Sequence, residues 1–373
     1  MLKNNLEKQF DFKRKFAECY GYPENPMDAL VDELEEGMTT AKLDVIFAEL
    51  KTAMLSLMEK INSSGAKHDR TFLFREYPIE KQREFCRLIV AAVGYDFEAG
   101  RLDESAHPFS FGNDKTDVRM TTRYFGDNFL NAALASMHEM GHSVYAQNCS
   151  DELRYTTLSR SASFGWDEGQ SRFFENIVGR SKPFWTHFLS VAKTYFTALD
   201  GITLDEFYNS LNAVYLNPLR LSADEVTYNL HIIIRYELEK MIFAKQIGFD
   251  DLPTAWNQKY RDYLGVTPKN DAEGLLQDIH WAGGFIGAFQ NYVLGNCYDG
   301  HILSKMKREI PDMNEQMSRG KFDEIFNWQV RNVHVHGSLY SPAELLERLT
   351  GEELSPKHYI DYLNQKYAEI YGL

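Results

Sequence analysis

The chain has 373 residues, 44% of them hydrophobic and 14% aromatic, which supplies a large core and excludes intrinsic disorder. A formal net charge of -14 excludes a surface that tracks nucleic-acid phosphates, because such binding draws on clustered Lys and Arg. No secretory h-region or membrane-length apolar run is found, and Cys19, Cys86, Cys149 and Cys297 are widely spaced. A cytoplasmic protein with reduced thiols and no membrane partner is expected.

Apolar residues recur mostly every three or four positions, which predicts a mainly α fold. The simplest organisation is one helical domain over 1–373, with N-terminal helices in 1–104 and a catalytic part in 105–373. The stretch TTAKLDVIFAELKTAMLSLMEKI, with Thr39 or Thr40 as N-cap, predicts a helix of about 20 residues, roughly 30 Å long. In YPIEKQREFCRLIVAAVGYDF, Pro78 suits a first helical turn and Gly94 an end. From His107 to Asn128 polar and apolar residues alternate on both sides of Gly112-Asn113-Asp114, which predicts a small hairpin or ribbon. Further helices are expected at about 127–149, 165–180, 182–198, 203–216, 222–248, 284–307, 320–334, 341–349 and 355–371.

The helix expected at about 127–149 contains LASMHEMGHSVY, Leu134 to Tyr145. Residues four apart share a helix face, so His138 and His142 can point at one ion, and Glu139 can reach a water beside it. The same spacing also arises on ordinary amphipathic helices. Here the pair is surrounded by Leu134, Met137, Val144 and Tyr145, and a buried imidazole needs a partner. Gly141 costs about 1 kcal/mol in a helix relative to Ala, so a close neighbour is expected against it. A catalytic zinc keeps three protein ligands and one open position. Glu168, in FGWDEGQSRFFENIVGRS, is the candidate third ligand, ahead of Glu175 about two turns further on. A solvated, acid-favouring helix start is the plainer alternative.

Six ordered blocks then resemble one family, the M32 or Taq-type metallocarboxypeptidases: HPF at 107–109, DVRMTT at 117–122, HEMGH at 138–142, DEGQSR at 167–172, LRLSADE at 219–225 and GLLQDIHW at 274–281. The resemblance implies a helical metalloprotease with a central groove that releases C-terminal residues from peptides. It implies one divalent metal per chain, Zn²⁺ before Co²⁺, and commonly a homodimer. His138, His142 and Glu168 would hold the metal, and Glu139 would activate the attacking water. Arg220 would grip the terminal carboxylate, as a bidentate guanidinium does best.

Arg235 is a weaker candidate for the same task, since Glu239 four residues on offers it an intrahelical pair. Gln277, Asp278 and His280 lie close together in sequence. His280 would polarise the scissile carbonyl or, more plainly, pack a groove wall, while Asp278 would orient a histidine. His107 and Phe109 would shape the substrate end. Three departures from the family pattern stand out: an N-terminally shortened start, Asp167 where a histidine is usual, and Gly287-Ala288-Phe289-Gln290 in place of a Gly-Tyr-Phe-Pro run. An opened groove would suit an aminopeptidase or oligopeptidase, and a metal-binding protein with little turnover is a further alternative.

Overall fold

The computed structural model describes residues 2–373. In chain order the elements are α1 (Leu2–Tyr20), α2 (Pro26–Leu34), α3 (Thr40–Ser64), α4 (Ile79–Val93), β1 (Gly100–Glu104), β2 (Ser110–Asp114), β3 (Asp117–Thr122), α5 (Phe129–Gln147) and α6 (Phe164–Arg172). They continue as α7 (Lys182–Tyr195), α8 (Leu204–Leu211), α9 (Thr227–Phe243), α10 (Leu252–Leu264), α11 (Gln290–Glu309), α12 (Met313–Ser318), α13 (Asp323–Asn332), α14 (Pro342–Thr350) and α15 (Lys357–Tyr371). The fold is mainly α, as the periodicity predicts. No helix among the described residues is long and apolar enough to cross a membrane.

Two compact units are each assembled from separated segments. One comprises the chain through Ala66, Val214–Leu294 and Ser355–Leu373; the other comprises Lys67–Ala213 and Gly295–Leu354. In the first, α3 packs on α9 and α15. Thr39 Oγ1 accepts from the Lys42 amide and fixes the start of α3. Its buried stripe of Leu43, Phe47, Leu50, Met54, Leu57 and Ile61 follows the helical period. Each such side chain contributes about 1.5–3 kcal/mol on burial. Helix α9 is apolar on several faces, with Leu230, Ile232, Ile233, Ile234 and Leu238 fully buried.

In the second unit, α5 lies among α4, α6 and β3. An aromatic cluster fastens it: Phe129 sits 4.7 Å from Phe196, and Trp185 sits 4.4 Å from Phe207. The predicted hairpin forms, but the chain turns at Lys115-Thr116, where Asp114 pairs with Asp117, and not at Gly112-Asn113-Asp114, which lies in an irregular stretch of β2. Asp114 Oδ1 accepts from the Thr116 amide and hydroxyl and closes this turn. A third strand joins it, β1 running parallel to β3, to give the order β1-β3-β2. GRLDE carries no β-branched residue, so nothing in its composition announces a strand.

Other boundaries also shift for local reasons. Asp224 Oδ1 accepts from the Val226 and Thr227 amides, which delays α9 from the predicted 222 to Thr227. Gly284 and Gly287 have φ of +77° and +79°, so α11 begins at Gln290 instead of about 284. Helices α1, α2, α10 and α12 lie where no helix was expected. Helix α10 buries only Leu252, Trp256, Tyr260 and Leu264.

Candidate metal centre

Helix α5 starts at Asn128, whose side chain accepts from the Asn131 amide. Its apolar residues Leu134, Met137, Val144 and Tyr145 are buried as expected. The close neighbour of Gly141 is the backbone of α6. A Cβ there would meet Gln170 O at 2.4 Å and Ser171 Cα at 2.5 Å. Only glycine permits this approach, and the approach brings Glu168 to the histidines. Gly295 backs α6 on its other side, where a Cβ would lie 2.8 Å from Gly169 N.

His138, His142 and Glu168 each present a ligand-type atom, and the three atoms lie within 4.8 Å of one another. Nε2 of His138 is 3.7 Å from Glu168 Oε2, and Nε2 of His142 is 4.0 Å from Glu168 Oε1. These separations exceed hydrogen-bond length and match atoms that share an ion at about 2 Å each. Ser171 Oγ donates to Glu168 Oε2 and fixes that carboxylate. Glu168 and Glu139 are buried, whereas His138 and His142 keep 22% and 13% of their side chains exposed, enough for an ion to enter.

The outward ring nitrogens explain the orientation. Nδ1 of His138 lies 3.0 Å from Glu175 Oε2, and Nδ1 of His142 lies 2.8 Å from Asp167 Oδ2. A carboxylate accepts, so Glu175 fixes the proton on His138 Nδ1 and turns its Nε2 lone pair toward Glu168, while Asp167 faces His142 Nδ1 at ion-pair distance without the alignment of a hydrogen bond. The contacts also set α5 antiparallel to the α6 segment: the earlier histidine meets the later acid. Glu175 sits in a widened π-type turn, Phe173–Val178, directly after α6. Sequence reasoning excluded it as a ligand and missed its part beside His138, although its spacing of seven from Glu168 already placed it on the same face.

The electrostatics favour a cation. Burial pulls the His142 pKa down, but Asp167, Glu168 and Glu139 outweigh it and push it up to about 10. Burial likewise opposes, and Glu175, Glu139 and Glu168 overcome it, in raising His138. Glu139 is raised by burial, against the pull of His138 and His142. Burial would raise Glu175, yet His138, Arg172 and Arg180 hold it down at about 2. With neutral imidazoles, four carboxylates face two guanidiniums, an excess that matches one divalent cation. Donor set, tautomers and charge all fit a metal.

His107 and Phe109 lie just before β2, both exposed, and His107 is near enough to Glu139 for its charge to be felt. The other residues singled out in the sequence belong to the first unit. Arg220 lies in the short turn Arg220–Ser222 and Arg235 on α9. Asp278 joins them: its Oδ1 takes Arg220 Nε and Nη2 at 2.9 and 2.8 Å, and its Oδ2 takes Arg235 Nε and Nη2 at 2.7 and 2.6 Å. Burial would raise the Asp278 pKa, but Arg235 and Arg220 hold it well below the ordinary carboxylate range.

The two alternatives drawn from sequence for this group are thereby corrected. Arg235 pairs with Asp278 and not with Glu239, whose carboxylate accepts from Trp281 Nε1 and the Gly287 amide. Asp278 holds arginines and not a histidine. Gln277 Oε1 accepts from the Arg220 amide, and its Nε2 donates to Pro218 O, so it splints the turn that carries Arg220. His280 Nε2 lies 3.1 Å from the Tyr292 hydroxyl, and its ring packs 4.5 Å from Phe289.

A family profile described as Carboxypeptidase Taq (M32) metallopeptidase matches residues 1–367. Carboxypeptidase 1 of Bacillus subtilis is 44% identical over 369 residues, covering 99% of this chain and 74% of that protein. Thermostable carboxypeptidase 1 of Thermus thermophilus is 44% identical over 345 residues, covering 92% and 68% respectively. The crystal structure of the M32 carboxypeptidase from Deinococcus radiodurans superposes with a TM-score of 0.95 at 35% identity, over 99% of this chain and 74% of that one.

Proposed function

This chain belongs to the Taq-type (M32) metallocarboxypeptidase family and is a metal-dependent carboxypeptidase acting on peptides; from that premise, we propose that His138, His142 and Glu168 hold its metal and that Glu139 is its general base. The observation that carries the assignment is the convergence of the two Nε2 atoms and the Glu168 carboxylate, with both Nδ1 atoms occupied from outside. A bound divalent cation, Zn²⁺ in our reading with Co²⁺ as an acceptable substitute, would polarise the scissile carbonyl and acidify the attacking water. Glu139, buried and with its pKa raised by that burial, takes the proton of this water and returns it to the departing amino group.

Arg220 is our candidate for gripping the terminal carboxylate. Asp278 occupies the Nε side of its guanidinium and Tyr228 takes one bond from Nη1, which leaves N–H groups on both Nη atoms to spare. Arg235, on the other oxygen of Asp278, adds a second positive charge, so one acid balances only one of two buried cations. Such a surplus favours an anionic group. His280 we assign to the carbonyl oxygen, with Tyr292 fixing its ring. His107 and Phe109, both exposed, we assign to the substrate end of the site.

Peptides blocked at one end test the assignment. Acetylation of the N-terminus should leave hydrolysis intact, while C-terminal amidation should abolish it in the wild type. Arg220→Met should raise KM for the free-acid peptide more than it lowers kcat. Equal turnover of acid and amide peptides by the wild type would overturn the role of Arg220.

A further inference from the structure

The two acids behind the histidines differ in origin and surroundings. Asp167 stands in the first turn of α6, keeps 30% of its side chain exposed, and has no lysine or arginine within ion-pairing distance among the described residues. Glu175 stands in the π-type turn, keeps 18% exposed, and also faces Arg180 at 3.7 Å and Arg172 at 4.0 Å. Neither approaches the point on which the Nε2 atoms converge, because each is spent on a far-side nitrogen.

We propose that Asp167 and Glu175 are positioning residues that set the metal affinity of this centre through charge as well as geometry. A carboxylate on Nδ1–H fixes the tautomer and pushes electron density toward Nε2, which strengthens that atom as a ligand. An amide in the same place keeps an acceptor oxygen but removes the push. Glu175 has the larger effect: its charge is less screened by solvent, and it separates His138 from two guanidiniums.

The inference rests on the assignment of His138, His142 and Glu168 as ligands, and the experiment separates the two. Dissociation constants for Zn²⁺ and Co²⁺ are measured by chelator competition, together with the visible absorption of the Co²⁺ form. The wild type should bind one equivalent, and His142→Ala should lose it; binding unaffected by His142→Ala would sink the ligand assignment itself. Asp167→Asn should weaken binding by about 10-fold, and Glu175→Gln by up to about 100-fold. Rescue by Asp167→Glu would support a charge role. Should Glu175→Gln melt early, Asp167→Asn decides the matter, since its side chain is part-exposed and among the described residues pairs only with His142. Affinities of Asp167→Asn and a folded Glu175→Gln within about twofold of wild type would overturn the proposal.

Discussion

The candidate metal centre of one unit and the arginine cluster of the other solve opposite charge problems. At the centre, four carboxylates meet two guanidiniums, and with the two imidazoles neutral the excess is negative. In the cluster, Arg220 and Arg235 share the single carboxylate of Asp278, and the excess is positive. Buried charge without a counter-charge is expensive, so each group is suited to a ligand of the opposite sign: a divalent cation in the first, a carboxylate in the second. The construction differs as well. The imidazoles are held from behind and keep their reactive nitrogens forward, whereas the arginines spend their Nε sides on the acid and retain only spare N–H groups.

The largest expected effect tests whether the carboxylates at the centre have separate tasks. Glu139→Gln should lower kcat by about 10²–10⁴-fold with metal content unchanged in elemental analysis. Loss of metal with the activity would instead make Glu139 part of the cage. On the other side, Asp278→Asn leaves two buried guanidiniums without a counter-charge and should lower unfolding stability by about 3–5 kcal/mol in urea titration. Arg235→Met leaves the Arg220–Asp278 pair neutral, and a smaller loss of stability is expected. Equal losses would mean that the cluster carries no surplus charge.

A further test concerns Glu239, the buried acid beside that cluster. Burial lifts its pKa to about 7, against the opposing hydrogen bonds of Trp281 and Gly287 and the charge of Arg235. The folded state therefore holds this proton more tightly than the unfolded chain. The associated stability is fully present below about pH 4.5 and is lost as pH rises through about 7, by roughly 3 kcal/mol in all. Glu239→Gln should flatten the slope of stability between pH 5 and 7. An unchanged slope would show that the surplus positive charge already ionises Glu239.

The smallest effect is a packing one. Gly141→Ala places a methyl against backbone atoms of α6 and should cost about 1–3 kcal/mol, measured by thermal melting. It should also weaken metal binding, because it pushes Glu168 away from the two histidines.

Much of the centre was legible because its information is local. The spacing of His138 and His142, the glutamate between them, the helix-breaking Gly141 and an acid early in the next helix all follow from helical period and metal chemistry. The same locality made α3 and α4 readable to within a few residues, through Thr39, Pro78 and Gly94. Strand β1 carried no compositional signal, and only its neighbours make it worth forming, whereas α10 does bury Leu252, Trp256, Tyr260 and Leu264 at helical spacing, a sparse signal among polar residues that sequence reasoning missed.

By itself, then, the sequence determined the helical class, the positions of the candidate ligands and the family to which the chain belongs. Tertiary structure decided what stands behind those ligands and which arginine meets which acid. Asp167 and Glu175 acquire their partners only when α6 and its π-type turn pack antiparallel on α5. Asp278 acquires Arg220 and Arg235 from 58 and 43 residues away. Periodicity reports which face of a helix is apolar, but not which distant charge that face will meet; that is fixed by close packing and by the cost of leaving a buried charge alone.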